Sequence, residues 1–525
     1  MIMFLKIFNF LTLPLLIESY KILVYQTAPG SSHIHFSGKL IDVLVDAGHT
    51  VDKLIIEWNP LITSNGTTKA TRIKRFSLSK PSPWLSMPHM VHPFEDKFYH
   101  MADDEAHYYK KTLAEFCDGI LSDNTVLEWI KEGEYDAALS SAYDACGFGL
   151  FYLAKIRSTF VYCASPIIDH WTMLLGIPNL ASFVPNPLRN NKEGDKMTVF
   201  QKISALTDRT YQQQIALPSY HDVQTQVFRK HYGNSFPSVT DLSKRIQTIF
   251  VNSHPLLELQ RPYSHKVRQI GGITMKKKEN LLPEFEKILS SKKGTIVFSF
   301  GSIVKISEIP NSTLEMFFKV FSSLTDYNII WKFDQEIPKM FVNFTNIHPF
   351  KWIQQVELLN DKRVKLFISH TGLNSLLEAA YSGVPVLSIP LFLDQHYNAQ
   401  VLERRGVSLI LDKHKITVDS LKSSILTLLN NSTFSQNAEI LQQMLLKFPL
   451  KPEETFLSWV QYGTEFKDLE KHFFMESSNL NFFEYFCLDA ILVLSGVLGG
   501  ILVFIILGIR KVFRLLRNFK KDKLD

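Results

Sequence analysis

Strand-like apolar runs alternate with helix-like stretches in two separate parts of the chain, and this alternation limits the folds open to it. In the first part, Lys21 to Gln26 reads as a strand, Phe36 to Ala47 as a helix and Val51 to Ile56 as a second strand. The pattern restarts at Gly294 to Ser299 and continues to a strand at Val386 to Ile389. Such alternation is typical of parallel sheets that carry helices on both faces. We therefore predict two doubly wound α/β domains.

A glycine pair, Gly271-Gly272, and the charged run from Lys276 to Glu279 indicate a linker between the two parts. The predicted divisions are a first domain at 20–275, a second at 276–455 and a membrane-proximal helical segment at 456–489. Ligands bind beyond the carboxyl ends of the strands in such sheets. We therefore expect the active site in the cleft between the domains.

Both ends of the chain predict a membrane protein. Residues 1–19 combine Lys6, an apolar run and the small residue Ser19, as secretory signal peptides do; a buried first strand is the alternative. Residues 490–509 contain no charge, and at ~1.5 Å per residue they would span the ~30 Å apolar layer of a bilayer. A basic tail follows at 510–525. The positive-inside rule places this tail in the cytoplasm and the body in the lumen.

The net charge of the chain belongs mostly to that tail. Residues 510–525 carry +5 of the total of +6, so we exclude nucleic-acid binding as a main function. Lys521 and Lys523 resemble a dilysine signal for return to the endoplasmic reticulum, although two lysines in a basic tail also arise by coincidence. Acceptor triplets for N-glycans fit a lumenal body and begin at Asn65, Asn311, Asn343, Asn430 and Asn431.

A histidine stands where a buried strand gives way to a helix. His370 follows the strand Val364 to Ser369, and the next helix begins near Gly372. The first N–H groups of a helix are unpaired and partly positive, so a phosphate gains hydrogen bonds and dipole stabilisation there. Glu378 lies farther along the helix, where its carboxylate could accept from ribose hydroxyls. The pattern predicts a nucleotide site; a polar cap without a ligand is the alternative.

Further motifs flank this segment or lie elsewhere in the chain: Lys351 to Leu359, Gly383-Val384-Pro385, Pro390 to Gln395, Phe298 to Ser302, Asp195 to Thr198 and Ser182 to Pro185. With them, the segment resembles the donor signature of the UDP-glycosyltransferases, in particular the membrane-bound animal UDP-glucuronosyltransferase type. The similarity covers essentially the whole chain, including its two ends, and Gly372 to Ser375 resembles the nematode-like branch. It implies two Rossmann-like domains facing a cleft, the GT-B glycosyltransferase fold.

The resemblance also implies a role for each matching residue of the donor half. Trp352 would stack on uracil, Gln355 would hydrogen-bond the base or ribose, and Glu378 would hold the ribose hydroxyls. Asp394 and Gln395 would hold the hydroxyls of the donor sugar. The diphosphate would be bound by Gly301, Ser302, His370, Gly372, Asn374 and Ser375.

The general base implied by the resemblance is His33, which follows the first strand in Gly30-Ser31-Ser32-His33. Imidazole suits proton removal near neutral pH, and a helix amino end helps to keep it uncharged. His35 is a nearby rival. The acidic residue that usually supports this histidine is replaced by Ser141, and Asp144 is the candidate substitute. The alternative for Asp144 is to cap the helix that begins near Cys146.

The predicted function is inverting transfer of glucuronate or glucose from a UDP-sugar to a hydroxyl of a small lipophilic acceptor, with His33 and Asp144 as the catalytic pair. A catalytically impaired binding protein is the alternative, because of Ser141. No metal or other cofactor is expected. The expected partners are the UDP-sugar, the acceptor and the membrane, and a homo-oligomer is left open. The expected location is the membrane of the endoplasmic reticulum, in single-pass type I topology.

Overall fold

A computed structural model of the chain describes residues 19–86, 94, 103–188, 194–211, 217–275, 279–301, 304, 309–333 and 344–521. Several predictions from the sequence concern residues outside these ranges. They are the signal peptide up to residue 18, the linker at 276–278, the phosphate ligand Ser302, the triplet at Asn343 and the last four residues of the tail.

Two parallel sheets carry the fold. Their strands are β1 Lys21–Thr27, β2 Thr50–Ile56, β3 Arg72–Phe76, β4 Ala137–Ser141, β5 Ser158–Cys163, β6 Thr248–Val251, β7 Val267–Gln269, β8 Gly294–Ser299, β9 Tyr327–Lys332, β10 Ile347–Phe350, β11 Val364–Ser369, β12 Val386–Ser388 and β13 Ser408–Ile410. The first sheet has the order β3-β2-β1-β4-β5-β6-β7 and the second the order β10-β9-β8-β11-β12-β13. The predicted fold class, two doubly wound α/β units, is confirmed.

The helices cover both faces of each sheet. They are α1 Ser31–Asp46, α2 Asp103–Ser122, α3 Asn124–Lys131, α4 Cys146–Leu153, α5 Asp169–Leu174, α6 Val199–Tyr211, α7 Leu217–Tyr232, α8 Val239–Lys244, α9 Pro283–Leu289, α10 Asn311–Ser322, α11 Gln355–Leu359, α12 Leu373–Ser382, α13 Gln395–Arg404, α14 Val418–Asn430, α15 Ser432–Leu446, α16 Pro452–Glu465, α17 Leu469–His472, α18 Phe482–Tyr485 and α19 Leu488–Lys521. Apolar side chains from each sheet and its helices form two large cores per sheet, one on either face, and a smaller cluster around Ile34 and Ile55 adds to the first sheet.

The strand order of each sheet changes direction beside its first strand. In the first sheet, β1 lies between β2 and β4, and in the second sheet β8 lies between β9 and β11. Chain crossovers leave on opposite faces at such a point, which opens a crevice beyond the carboxyl ends of the two central strands. His33 follows β1, and His370 follows β11. The topology therefore places each of the two histidines beside a crevice.

Helix α16 returns to the first sheet after the second sheet is complete. Phe456 and Val460 are fully buried in the same core as Phe250 of β6, and the rings of Phe456 and Phe250 lie 4.8 Å apart. The sequence prediction placed Phe456 and Val460 in the membrane-proximal segment at 456–489 and the start of α16 in the second domain. In the structure they pack with the first sheet, because their apolar face covers strands β5 to β7.

The C-terminal helix α19 is apolar and exposed. Its stretch Leu488–Arg517 is, among the described residues, the one helix long and apolar enough to cross a bilayer by length and composition, and its apolar window is not buried against the rest of the chain. This agrees with a single-pass anchor at 490–509. Before it, the Ser477 hydroxyl donates to the Gly176 carbonyl at 2.6 Å, and Lys244 Nζ donates to the Ser478 carbonyl at 3.1 Å.

A disulfide joins two helices of the first sheet. Cys117 of α2 is bridged to Cys146, the first residue of α4. Cys163 is buried and unbridged, and Cys487 is exposed. The bridge fixes the amino end of α4 immediately after the loop Ala142 to Ala145, which contributes to the candidate site.

Candidate functional site

Two glycines hold the His370 ring at the carboxyl ends of β8 and β11. A Cβ atom added to Gly301 would lie 2.7 Å from His370 Cε1, and one added to Gly372 would lie 2.6 Å from Nε2. Real Cβ atoms do not approach other atoms so closely, so only glycine fits at either position without a shift. Gly301 also has a φ of +76°, in the left-handed region. The imidazole is therefore fixed against two backbone segments, at the amino end of α12.

Burial keeps His370 uncharged. Removal from water and, to a smaller extent, the nearby Lys332 together lower the pKa of His370 to about 4, whereas the Ser299 backbone opposes the shift. The Nδ1 atom makes no hydrogen bond among the described residues. At neutral pH the ring is thus a neutral imidazole, which can donate one hydrogen bond. Positive character at this position comes instead from the amino end of α12 and from Lys332.

Lys332 belongs to the candidate site by its contacts, and sequence reasoning missed it. Its Nζ donates to the Gly301 carbonyl at 2.7 Å and lies 4.9 Å from the centre of the Trp352 ring. The signal was present, because Lys332 ends a strand, and ligands of such sheets bind at strand carboxyl ends. A single lysine in a sequence does not reveal that it connects Trp352 with the glycine turn.

Trp352 presents its indole to solvent at the rim of this site. The side chain is 73% exposed, which is unusual for the largest apolar side chain and indicates a binding surface. Below it, Gln355 Nε2 donates to Glu378 Oε2 at 2.6 Å and to Ser375 Oγ at 3.3 Å. The structure therefore brings Gln355, Ser375 and Glu378 together, while Asn374 is exposed on the first turn of α12.

The loop before α13 is tied to the His370 turn. Asn398 Nδ2 donates to the Thr371 carbonyl at 3.1 Å and to Asp394 Oδ2 at 2.9 Å. Burial raises the pKa of Asp394 to about 6. The Gln395 side-chain oxygen accepts from the backbone N–H groups of Leu391 and Phe392 at 2.8 and 3.1 Å. Gln395 thus shapes the loop, and Asp394 is the residue whose carboxylate is placed to receive another donor.

His33 lies in the first turn of α1 and packs against Tyr143. The two ring centres are 4.7 Å apart, in an edge-to-face arrangement. Burial lowers the pKa of His33 to about 4. Its Nδ1 atom is buried and makes no hydrogen bond in the structure as far as it is described. The neutral ring is thus held by packing rather than by a carboxylate.

Asp144 does not contact His33. One carboxylate oxygen accepts from the Tyr25 hydroxyl at 2.6 Å, and the other accepts from the Cys146 N–H at 2.8 Å and from Gln224 Nε2 at 2.5 Å. The contact with Cys146 N–H is the capping alternative considered from the sequence. Gln224 is distant in sequence, and no pattern around Asp144 indicates that Gln224 would hydrogen-bond its carboxylate.

Ser141 also has a partner other than His33. Its hydroxyl lies 3.0 Å from the Thr27 hydroxyl, and the two residues end the neighbouring strands β4 and β1. A buried hydroxyl pair satisfies itself without charge. Among the residues that the structure describes, a protonated His33 ring would therefore have no anionic group in hydrogen-bond contact with it.

The two halves of the site face each other. Burial raises the pKa of Tyr143, and the Asp394 carboxylate, which belongs to the other sheet, raises it further. The same carboxylate adds to the effect of burial on the pKa of Cys163. Asp394 therefore lies within electrostatic range of the ring that packs on His33. The structure brings the predicted base and the predicted sugar-binding loop to one cleft.

Comparison with known proteins assigns the chain to a family. Residues 20–523 match the family model described as UDP-glucoronosyl and UDP-glucosyl transferase. The chain is 27% identical to a Caenorhabditis elegans protein provisionally named UDP-glucuronosyltransferase ugt-48, over the full length of both. It is 25% identical to mouse UDP-glucuronosyltransferase 1A9, over 92% of this chain and 91% of that protein.

Solved structures show the same fold at lower identity. The glycosyltransferase VinC in complex with dTDP superposes with a TM-score of 0.55 and 16% identity, covering 85% of this chain and 99% of that one. The glycotransferase of kitacinnamycin gives a TM-score of 0.56 and 14% identity, over 87% of this chain and 100% of that one. Both confirm the expected GT-B arrangement of two Rossmann-like sheets.

Proposed function

The chain belongs to the UDP-glucuronosyl and UDP-glucosyl transferase family, and from that premise we propose that it transfers glucuronate or glucose from UDP to a hydroxyl of a small lipophilic acceptor, with inversion. The observation that carries the proposal is the joining of Trp352, Lys332 and the His370 turn at the carboxyl ends of the second sheet. An exposed aromatic face beside a cationic group and a helix amino end suits a base followed by a diphosphate.

In the proposed donor complex, uracil stacks on Trp352 and the ribose hydroxyls donate to Glu378, which Gln355 holds in place. The diphosphate lies against His370, the amino end of α12 with Asn374 and Ser375, and the Gly301 turn. Lys332 adds positive charge beside it. Asp394 accepts from the hydroxyls of the sugar, while Gln395 keeps that loop in shape. Ser302 remains a predicted phosphate ligand outside the described residues.

In the proposed reaction, the acceptor hydroxyl attacks the anomeric carbon from the face opposite UDP. The bond from that carbon to the β-phosphate oxygen breaks as the new glycosidic bond forms, and UDP leaves with the electron pair. His33 takes the proton of the hydroxyl. The negative charge that develops on UDP is stabilised by the hydrogen bond from His370, the α12 amino end and Lys332.

A second candidate is a binding protein that holds a UDP-sugar or a lipophile without efficient turnover. The observation that favours it is the environment of His33, whose Nδ1 lacks a partner among the described residues, while Asp144 is bound elsewhere. An imidazolium formed without a neighbouring anion is less stable, which slows proton removal. We also propose an endoplasmic reticulum location with the body in the lumen. The basic residues that follow the apolar stretch of α19 favour a cytoplasmic tail, and Lys521 and Lys523 resemble a dilysine retrieval signal.

The test is UDP release by the full chain in microsomes, from UDP-glucose and UDP-glucuronate, with a panel of phenols. We expect turnover with at least one pair, its loss in His33→Ala, and its persistence in Ser141→Ala. His35→Ala is the matched control, because His35 lies on the same turn of α1. Turnover that is unchanged in His33→Ala contradicts the base assignment. If the chain binds UDP but releases no UDP above background from either UDP-sugar with any phenol, the transferase proposal is overturned in favour of the binding protein.

A further inference from the structure

The loop Ala142 to Ala145 is bound to two helices along its first half. Trp171 Nε1, from α5, donates to the Ala142 carbonyl at 2.9 Å. The Tyr109 hydroxyl, from α2, donates to the Tyr143 carbonyl at 2.6 Å. Mobile loops make few contacts of this kind. The backbone that carries the Tyr143 ring is therefore held in place from two sides.

Asp144 and Gln224 hold the second half of the loop. The Asp144 carboxylate accepts from the Tyr25 hydroxyl at 2.6 Å and from Gln224 Nε2 at 2.5 Å, and Gln224 Oε1 accepts from the Ala145 N–H at 3.1 Å. The disulfide then fixes Cys146, the next residue. Removing one partner from such a buried network leaves polar groups unpaired, which is costly. Asp144 thus stabilises the loop beside His33 instead of the His33 ring itself.

Tyr143 is the residue of this loop whose side chain reaches the cleft. Its side chain is half-buried, whereas those of the other three loop residues are buried. The Tyr143 hydroxyl lies 3.0 Å from Ser165 Oγ. Ser165 Oγ itself donates to the Pro166 carbonyl at 3.0 Å, so it accepts from the tyrosine. The Tyr143 ring is therefore fixed both at its backbone and at its hydroxyl.

The His33 ring is gripped less closely by backbone than the His370 ring. A Cβ atom added to Gly30 would lie 3.8 Å from His33 Cδ2, an ordinary contact distance, whereas the glycines beside His370 leave no such room. The Nδ1 atom of His33 makes no hydrogen bond among the described residues. The edge-to-face contact with Tyr143, with ring centres 4.7 Å apart, is an arrangement that aromatic pairs favour. The orientation of the imidazole thus depends on the tyrosine ring.

We propose that Tyr143 is a positioning residue for His33: its ring, on a fixed loop, holds the imidazole in the orientation that receives the proton of the acceptor hydroxyl. The geometry of a base contributes to the rate separately from its basicity. The aromatic ring takes over the orienting role that a carboxylate at position 141 would have, and it leaves the charge of the imidazolium uncompensated. This inference rests on the proposed function, which gives the base its role.

The first test compares Tyr143→Leu, which removes the ring, with Tyr143→Phe, which keeps it. Steady-state UDP release by the full chain in microsomes is measured with the donor and phenol that the wild type uses. We expect kcat to fall at least about 10-fold in Tyr143→Leu, with the KM for the phenol little changed, because misplacement of a reacting group lowers the rate of the chemical step. Tyr143→Phe should keep kcat within about three-fold of the wild-type value, since the edge-to-face packing remains.

Two controls separate positioning from a general structural effect. Tyr152→Leu removes a tyrosine of α4 that is 49% exposed and packs against Phe236, and it should leave kcat unchanged. In the His33→Ala background, Tyr143→Leu should cause no further loss, because a positioning residue acts only through the group that it positions. Thermal unfolding of each variant shows whether the fold is retained.

The second test does not require turnover. Diethyl pyrocarbonate acylates uncharged imidazole, and mass spectrometry of the peptide that contains both His33 and the exposed His35 gives the modification of one relative to the other. We expect this ratio to rise at least about three-fold in Tyr143→Leu, because the His33 ring is released from its packing, and to stay unchanged in Tyr143→Phe and Tyr152→Leu.

Unchanged modification of His33 in Tyr143→Leu overturns the inference, because the tyrosine would then not hold the ring. A rise in KM without a fall in kcat also overturns it and assigns Tyr143 to acceptor binding. Equal losses of kcat in Tyr143→Phe and Tyr143→Leu, with lowered thermal midpoints, overturn it in favour of a role in folding of the loop. Absence of turnover in the wild type would overturn the proposed function instead, while the modification ratios still decide whether Tyr143 holds His33.

Discussion

Replacing Gly372 with alanine should weaken UDP binding while leaving the backbone unstrained. Gly372 has φ −57° and ψ 151°, values that any residue adopts. The new Cβ atom would lie 2.6 Å from His370 Nε2, whereas unstrained contacts of this kind are about 3.5 Å. The ring must therefore retreat by roughly 0.9 Å, and a phosphate hydrogen bond of about 2.9 Å would lengthen beyond the usual limit.

The expected loss follows from that displacement. A hydrogen bond to a charged group contributes about 1.5–3 kcal/mol, which corresponds to about a 10- to 150-fold increase in the Kd for UDP. The assay is isothermal titration of UDP into the detergent-solubilised full chain. Thermal unfolding measured on the same samples separates a local effect on the ring from loss of the fold.

Two other glycines provide matched comparisons. Gly301→Ala combines a left-handed φ of +76° with a contact of 2.7 Å to His370 Cε1, so it should lower both stability and UDP affinity. Gly233 has a φ of +89°, and a methyl group added there would meet no atom within 4 Å, so Gly233→Ala should lower stability alone. A Kd for Gly372→Ala within about two-fold of the wild-type value would refute the assignment of His370 to the phosphates.

Three further results are expected. Trp352→Ala should raise the Kd for UDP by about 5- to 150-fold, because stacking on a base contributes about 1–3 kcal/mol, whereas exposed Phe466→Ala should not; equal affinity would contradict the stacking role. Ser141→Asp should place a carboxylate beside Thr27, and this negative charge should raise the pKa of His33 and increase kcat for aliphatic alcohols. The measurement is the pH–rate profile. An unchanged profile would show that position 141 does not act on His33. Burial lowers the pKa values of four histidines from 6.5 to about 4: His33, His170, His254 and His370. Between pH 6.5 and about 4 the unfolded chain therefore binds more protons than the folded chain, so the thermal midpoint should fall as the pH is lowered through this window. A midpoint that rises would contradict the buried neutral state.

The fold could be predicted because its signal is repeated along the chain. Runs such as Lys21 to Gln26 and Val364 to Ser369 are mostly apolar, as strands buried on both faces must be, and helix-like stretches separate them. The return of α16 to the first sheet could not be predicted in this way. Its apolar face fits either sheet, and only the three-dimensional path of the chain decides between them.

The grouping of the candidate donor residues could be predicted because these residues lie in one continuous segment. Trp352, Gln355, His370 and Glu378 follow one another along the chain, so their spacing carries the signal. The surroundings of His33 come instead from separate segments. Tyr143 reaches it from the loop after β4, and Gln224 takes the carboxylate of Asp144. Such contacts leave no mark in local sequence.

The path of the chain after residue 446 joins the C-terminal segments to the first domain. The last segments, α16 and the stretch from Ser477 to Tyr485, pack on the first sheet, although they follow the second sheet in sequence. The segments before the membrane helix therefore pack with the first domain, and both ends of the second domain connect to the first domain. His254 of the first domain packs against Tyr381 and Phe448 of the second. We therefore expect any opening of the cleft to move the second domain, with its candidate nucleotide site, relative to a first domain that stays attached to the membrane.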